Sequence, residues 1–260
     1  MRTRAASARW GGTTRCRRPG RRGLVGLVGV GIADEAGAAS MRIDVVGTDG
    51  SPYTFERAFT VLATDWLVEE IWFPTPTPGP TPTPDPDPPP PLPDDNEILP
   101  DVYAGMSARQ WVSEWILPID EPELASCESE ASGDTACVSS YFGTRRSFNG
   151  GPVGRHHGGT DLAAWAGTPV RTTNGGTVVL AGEYRVRGNL VVVDHGGGVF
   201  SSYGHLSSIA VSEGEVVQQG DVVGEVGSTG LSTGPHLHWE MVVAGVLVDG
   251  LRWLDETQGF

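Results

Sequence analysis

The C-terminal half of the chain alternates short apolar runs with glycine-rich turns. Five runs rich in Val and Leu lie at residues 177–180, 190–193, 199–203, 222–226 and 237–243. Short strands separated by turns in this way are typical of antiparallel β-proteins. We therefore predict an all-β domain over residues 141–260, built as an antiparallel β-sandwich or a barrel-like sheet.

A second alternating pattern, over residues 41–73, predicts a β-hairpin. Ile43 and Val45 alternate with polar residues before a Gly/Asp-containing turn, and Tyr53 and Phe55 alternate after it. The segment looks like the last hairpin of an immunoglobulin-like sandwich. A complete domain of that kind takes about 100 residues, so we interpret residues 41–73 as a partial β-domain.

Two connecting segments separate these β-regions. Residues 74–93 hold twelve of the 20 prolines, which predicts a semi-rigid polyproline II linker over residues 74–96. The connector at residues 97–140 contains a helical pattern around residues 107–115. It would place Trp111 and Trp115 on one face of a short helix, where they would pack against the protein.

The first forty residues allow two interpretations. Eight arginines fall within residues 1–22 and precede an apolar, Gly-rich run at residues 24–32. This order fits a secretory signal, although the run is short and acids follow it closely. The alternative is a wrongly assigned gene start, with coding sequence beginning near Met41. The run is too short for a transmembrane helix, which needs about 20 apolar residues.

The net charge and the cysteine content of the chain indicate which partners and which stabilising bonds to expect. The formal net charge is -14, and the acids all lie beyond residue 22. This acidity argues against nucleic acid as a partner, because phosphate binding needs dense positive charge. The three cysteines, Cys16, Cys127 and Cys137, are too few for a disulfide scaffold. Cys127 and Cys137 could form a local bridge in an exported protein or remain free thiols.

The candidate chemistry lies in three histidine-containing stretches. His236 and His238 stand two apart, on one face of a strand if the stretch is extended. His157 and Asp161 flank a Gly-Gly turn. With His238 they make a set of two nitrogens and one oxygen, which is the shell of a catalytic zinc with one open position. His205 and His236 are then available to transfer protons.

These stretches, in this order, resemble the LytM and lysostaphin type of zinc endopeptidases, which cut peptidoglycan peptides. The resemblance runs from about residue 141 to 254 and includes Tyr-Gly-His-Leu at 203–206, Gly-Thr-Pro-Val at 167–170 and Gly-Ser-Thr-Gly at 227–230. It implies the duplicated hybrid motif type of fold and one zinc ion. The resemblance also implies that the metal ligands are His157, Asp161 and His238, and that the catalytic pair is His205 and His236.

The same resemblance implies an exported enzyme of the cell envelope or the extracellular space. We weigh two alternatives: a non-catalytic wall-binding module that recruits or activates another hydrolase, and a structural envelope protein that only binds zinc. Residues 211–226 also resemble half of a biotinyl or lipoyl carrier. Those carriers modify a lysine, which this chain lacks.

Several neighbouring residues carry weaker predictions. His156 competes with His157 as a ligand, whereas His195 is assigned to a turn outside the site. Arg145, Arg146 and Asn149 could face a substrate or form an ordinary polar loop. Tyr203 could bond near an oxyanion or simply be packed. The loop at residues 227–234 is expected to form a wall of the groove.

Overall fold

The computed structural model describes residues 15–18, 21–24, 35–46, 49–72, 90–111, 114–120 and 137–254. Two short helices accompany the strands, α1 at Asp95–Val102 and α2 at Gly250–Trp253. The strands are β1 Arg15–Arg18, β2 Arg21–Leu24, β3 Gly37–Val46, β4 Pro52–Val61, β5 Val68–Ile71, β6 Val138–Ser140, β7 Arg145–Phe148, β8 Thr160–Ala163, β9 Pro169–Arg171, β10 Gly176–Tyr184, β11 Gly188–Gly196, β12 Val199–Ile209, β13 Val216–Val217, β14 Val222–Val226, β15 His236–Val243 and β16 Val246–Val248.

The C-terminal strands form one antiparallel sheet with a branch. Its main order is β13-β10-β11-β12-β15-β8-β6, while β14 pairs with both β12 and β9, and β16 pairs with β15. The sheet folds into a sandwich and, over the described residues, does not close into a barrel. The predicted all-β antiparallel class is therefore confirmed, in its sandwich form.

Strand β12 belongs to both layers of this sandwich. From Val199 to Gly204 it pairs with β15, and from Leu206 to Ile209 it pairs with β14. The residue between the two registers is His205, whose φ of 61° lies in the left-handed region. Such a conformation is uncommon for a residue other than glycine and is often found at functional sites.

The core of the domain lies between the two layers. Its largest fully buried side chains include Leu162, Tyr203, Leu206, Leu237 and Trp239. Burying an apolar side chain of this size contributes about 1.5–3 kcal/mol. The strands that carry the histidines are therefore anchored from behind by tightly packed neighbours.

Helix α1 lies on the back of this sheet. Asp94 caps it, because the carboxylate accepts a hydrogen bond from the Asn96 backbone N–H at 3.1 Å. Leu99 and Tyr103 are buried in a cluster with Phe200 and with residues of β10 and β11. The helix thus attaches the connector to the β-domain.

The helix predicted around residues 107–115 is wrong. Residues 105–111 and 114–117 form neither a helix nor a strand, and their backbone bonds go to the β-domain rather than along a helix: Gln110 N–H donates to the His195 carbonyl at 2.8 Å. The expected packing of Trp111 and Trp115 is nevertheless present, with ring centroids 5.8 Å apart. Tertiary pairing has overridden a local pattern.

The N-terminal β-region contains the predicted hairpin. Strands β3 and β4 pair antiparallel over ten residues each, and most of their side chains are exposed. Strand β5, which follows them, pairs in parallel with β7 of the C-terminal domain. The immunoglobulin-like origin of residues 41–73 stays a prediction.

Several sequence predictions fall on other parts of the chain. Most of the Pro-rich linker, most of the apolar run at 24–32 and Cys127 lie outside the described residues. Cys137 is disulfide-bonded; its pairing with Cys127 stays a prediction. Among the described residues, neither helix has the length and apolar character needed to cross a membrane.

Candidate metal centre and cleft

The pairing of two strands brings His238 and Asp161 together. They are direct register partners between β15 and β8, so their side chains leave the sheet side by side. His238 Nδ1 lies 2.7 Å from Asp161 Oδ1. Both side chains are buried, at 7% and 5% exposed.

His157 joins them from the segment before β8. Its backbone N–H donates to the Thr144 carbonyl at 2.7 Å, which fixes the segment against β7. A Cβ at Gly159 would lie 2.9 Å from His238 Cε1 and 2.5 Å from the Trp239 carbonyl oxygen, so only glycine allows this close approach. His157 Nε2 consequently lies 3.0 Å from Asp161 Oδ1 and 3.1 Å from His238 Nδ1.

The opposite ring nitrogens of both imidazoles face acceptors. His157 Nδ1 lies 3.1 Å from the Tyr141 carbonyl oxygen, and His238 Nε2 lies 3.0 Å from Glu240 Oε1. A carbonyl or carboxylate oxygen only accepts, so when each outer nitrogen carries the single proton of a neutral ring, His157 Nε2 and His238 Nδ1 are acceptors that can bind a metal ion. Two lone pairs and a carboxylate oxygen then face one another, an arrangement that needs a positive charge between them. Among the described residues, these three form a group of metal-binding side chains whose donor atoms lie within 4.8 Å of one another.

The charges of the group agree with this arrangement. Burial acts to raise the pKa of Asp161, but the neighbouring His157 and His238 side chains hold it well below its usual value. Burial acts to lower the pKa of His238, but hydrogen bonds to Asp161 and Glu240 raise it to about 9.

The other two predicted site residues lie beside this cluster. The ring centroids of His205 and His236 are 4.8 Å apart, and His205 lies 5.7 Å from His238. His205 Nδ1 is 2.8 Å from the Thr229 carbonyl, and His236 Nδ1 is 2.8 Å from the Gly234 carbonyl. Both rings therefore present Nε2 on the opposite side. Burial, with His238 and His236 nearby, lowers the pKa of His205 to about 3, so this imidazole is neutral at pH 7.

All five predicted residues line one open cleft of about 600 Å³. The predicted groove wall is present in part, since residues 231–233 line one side. Arg146 also lines the cleft and donates from Nη2 to Asp161 Oδ2 at 2.5 Å. Arg145 and Asn149 are exposed and are not among the cleft-lining residues.

Three side chains considered in the sequence analysis are not part of the group of five site residues. The Tyr203 hydroxyl is buried in the core, where it accepts a hydrogen bond from the Thr173 N–H at 2.8 Å, so the oxyanion role considered for it is wrong. His195 lies within β11 and is fully buried, rather than in a turn. His156 lines the cleft, but it is not in the donor group and its ring contacts Trp66.

Strand β5 forms part of the cleft rim. Glu69 lines the cleft, and its carboxylate accepts hydrogen bonds from Ser140 Oγ at 2.9 Å and Arg146 Nε at 3.3 Å. Trp66, just before β5, contacts Phe142 edge-on with a centroid separation of 6.3 Å. The strand thus covers the edge of β7 next to the candidate metal ligands.

The sequence analysis missed two charged residues behind His238. Glu240 follows it by two positions on the same strand, so the i, i+2 rule could have placed that carboxylate on the same face. Arg187 contacts Glu240, with 2.6 Å between Nη2 and Oε1. No local pattern marks Arg187, because the contact depends on how the β10–β11 connection folds back.

The sequence around this site is similar to those of known peptidases. Residues 155–250 match the profile of peptidase family M23. Over 118 residues the chain is 42% identical to the peptidoglycan DD-endopeptidase ShyA of Vibrio cholerae, covering 44% of this chain and 27% of that protein. It is 47% identical over 91 residues to the DD-carboxypeptidase/endopeptidase Mpg of Neisseria meningitidis, covering 35% of this chain and 21% of that protein. The matched region thus spans about a quarter of the length of these curated relatives.

A solved structure extends the likeness beyond the matched region. A crystal structure from Pseudomonas aeruginosa assigned to peptidase M23 aligns with a TM-score of 0.61 and 26% identity, over 93% of this chain and 83% of that one. The cleft with its histidines lies within the part of the chain that the family profile covers. Residues 155–250 therefore form a domain of peptidase family M23, the kind of peptidase that the resemblance to LytM and lysostaphin predicted.

Proposed function

We propose that this protein is a zinc-dependent endopeptidase that hydrolyses peptide bonds in peptidoglycan. The observation that carries the proposal is the convergence of His157 Nε2, Asp161 Oδ1 and His238 Nδ1 at one side of an open cleft. Two relatives that share 42% and 47% identity over the matched region are named as peptidoglycan DD-endopeptidase and DD-carboxypeptidase/endopeptidase, which supports the substrate class.

The donor set fits zinc rather than a harder cation. Two imidazole nitrogens and one carboxylate oxygen make the three-ligand shell of catalytic zinc sites, whereas magnesium and calcium prefer oxygen ligands throughout. His157, Asp161 and His238 would hold the ion, one per domain. When bound, zinc lowers the pKa of a coordinated water to about 7 and polarises a carbonyl oxygen.

His205 and His236 would carry out the proton transfers. Each has its Nδ1 fixed on a backbone carbonyl, so each can accept or donate a proton at Nε2. A neutral His205 is suited to accept the proton of the attacking water, and a protonated imidazole can return a proton to the leaving amine. Transferring protons by a positioned side chain contributes about 10²–10⁴-fold to the rate.

The cleft suits an extended peptide. It is open, and one wall is the small-residue loop that contains Ser232 and Thr233. A peptide can lie close to such a wall. Because peptidoglycan lies outside the cytoplasmic membrane, we propose that the protein acts in the cell envelope or extracellularly.

Digestion of purified peptidoglycan by the full chain tests the proposal. Mass spectrometry should detect released peptides, a chelator should stop the release, and added zinc should restore it. Binding to peptidoglycan without any release would contradict the proposal and favour a module that recruits another hydrolase.

Two variants separate ligands from proton-transfer groups. His205→Asn suits the left-handed backbone at this position, and it should retain zinc while losing at least 100-fold in kcat. His238→Ala should lose both zinc and activity. Loss of zinc in His205→Asn, measured by elemental analysis, would refute this division of roles.

A further inference from the structure

Behind the candidate metal ligands lies a buried chain of charged groups. His238 Nε2 lies 3.0 Å from Glu240 Oε1, on the side of the ring away from Asp161. Glu240 is fully buried. A buried carboxylate needs compensating hydrogen bonds and positive charge, so its other partners decide how firmly it holds the imidazole.

Those partners come from outside β15. Glu240 Oε1 accepts from Arg187 Nε at 3.0 Å and Nη2 at 2.6 Å, and Glu240 Oε2 accepts from the Tyr103 hydroxyl at 3.1 Å. The carboxylate is therefore held at both oxygens.

Helix α1 supplies the far end of the chain. Asp95, its first residue, is fully buried, and its Oδ2 accepts from Arg187 Nη1 at 2.7 Å. The same carboxylate accepts from the backbone N–H groups of Val186 and Arg187, at 2.9 and 3.2 Å. Asp95 therefore fixes both the guanidinium and the backbone of this turn.

The turn that Asp95 fixes also contacts the second histidine of the site. The Arg187 carbonyl accepts the backbone N–H of His205 at 2.6 Å, and the Val186 carbonyl accepts that of Leu231, which lines the cleft. One short segment thus supports His205, the cleft wall and, through Glu240, His238. Its own buried anchor is Asp95.

We propose that Asp95 and Tyr103 are positioning residues of this site, acting through Arg187 and Glu240 on the His238 imidazole. Both lie outside residues 155–250, the part that matches the peptidase family. Partners that hold the outer nitrogen of a ligating histidine fix its tautomer and orientation, and removing them costs about 10–100-fold in metal affinity or activity. The inference rests on the proposed zinc chemistry, but zinc binding tests it without any peptidase assay.

The variants remove single polar contacts with little change of shape. Tyr103→Phe deletes one hydroxyl, and Asp95→Asn removes the charge that faces Arg187. Matched controls are Tyr184→Phe, on a tyrosine that packs against the same cluster, and Asp101→Asn, on an exposed acid of the same helix. All four are made in the full chain.

Zinc affinity is measured by competition with a chromophoric chelator, and the ligand field by the visible spectrum of the cobalt(II)-loaded protein. We expect Asp95→Asn and Tyr103→Phe to weaken zinc binding by about 10-fold or more and to shift the cobalt bands. The controls should remain within threefold of the wild type. Urea unfolding of the metal-free proteins measures any loss of stability separately.

The possible results test the positioning roles of Asp95 and Tyr103 separately from the proposed zinc-dependent function. Wild-type zinc affinity and cobalt spectra in both variants, whatever their urea midpoints, would show that the chain only stabilises the fold and would overturn the inference. A wild-type protein that binds no zinc would refute the proposed function itself, and the inference with it. Weak zinc binding in Tyr103→Phe alone would support the positioning role of Tyr103 and overturn that of Asp95.

Discussion

Replacing Glu69 with glutamine should increase the peptidase activity of the full chain. Glu69 belongs to β5, which occupies the edge of β7 beside the candidate ligands. A peptide that enters the cleft along this edge must displace β5. Any contact that holds β5 in place therefore reduces the fraction of molecules that can accept substrate.

The size of the effect follows from the contacts of the carboxylate. Glu69 accepts one bond from Ser140 and one from Arg146. Hydrogen bonds to charged groups contribute about 1.5–3 kcal/mol when buried. The Glu69 side chain is 33% exposed, and solvent screening reduces the loss to about 1 kcal/mol. Since 1.4 kcal/mol corresponds to a factor of ten, kcat/KM should rise about fivefold.

The assay is the initial rate of peptide release from purified peptidoglycan at subsaturating substrate. Glu70→Gln is the matched control, because this neighbouring acid is exposed and outside the cleft lining. It should leave kcat/KM unchanged. Trp66→Ala, which removes the aromatic contact with Phe142, should act in the same direction as Glu69→Gln.

A fall in kcat/KM for both Glu69→Gln and Trp66→Ala would refute the reasoning. It would mean that β5 forms part of the substrate-binding wall and is not displaced. An unchanged kcat/KM in both variants would place the route of substrate entry away from β7. In either case the covering of the β7 edge would not limit activity.

Three further predictions concern the core that supports the site. Tyr203→Phe should lower the free energy of unfolding in urea by about 1–3 kcal/mol, because the buried Thr173 N–H loses its acceptor. Its kcat should stay at the wild-type value. A large fall in kcat would show that Tyr203 takes part in the reaction. Leu162→Ala should lower the free energy of unfolding by about 2–5 kcal/mol, since this side chain is fully buried. A decrease below 1 kcal/mol would mean that the two sheet layers move together and fill the cavity. Burial lowers the pKa of His195 to about 4, below the unfolded value of about 6.5, so stability is fully present above pH 6.5 and falls as the pH drops towards 4. The free energy of unfolding should fall by about 3 kcal/mol, at 1.36 kcal/mol per pKa unit. His195→Gln should lack this part of the decline when urea unfolding is compared at pH 7 and pH 4.5. Equal declines in both proteins would assign the pH dependence to other groups.

The sequence was most informative where short-range periodicity coincides with the fold. The valine-rich runs became strands β10, β11, β12, β14 and β15, because alternation and turn glycines are local properties. The five site residues converge as a set, in part because the two-residue repeat that contains His236 and His238 holds in β15. Their division into ligands and proton-transfer groups stays a prediction.

The sequence was least informative where long-range pairing decides the structure. The non-helical course of residues 105–111 and 114–117 depends on hydrogen bonds to distant parts of the chain, which a helical spacing cannot reveal. Neither the parallel pairing of β5 with β7 nor the contact of Asp95 with Arg187 leaves a periodic signature. The left-handed backbone at His205 arises because β12 changes partners at that residue.

The docking of α1 has a consequence for protein engineering. Fusions and domain swaps are commonly cut at the limits of a recognised family segment, which here begins at residue 155. A graft cut there would leave behind the carboxylate of Asp95 and the hydroxyl of Tyr103, and Arg187 would then lose its counter-ion on one side. Chimaeras of this peptidase should therefore carry the helix along with the sandwich it rests on.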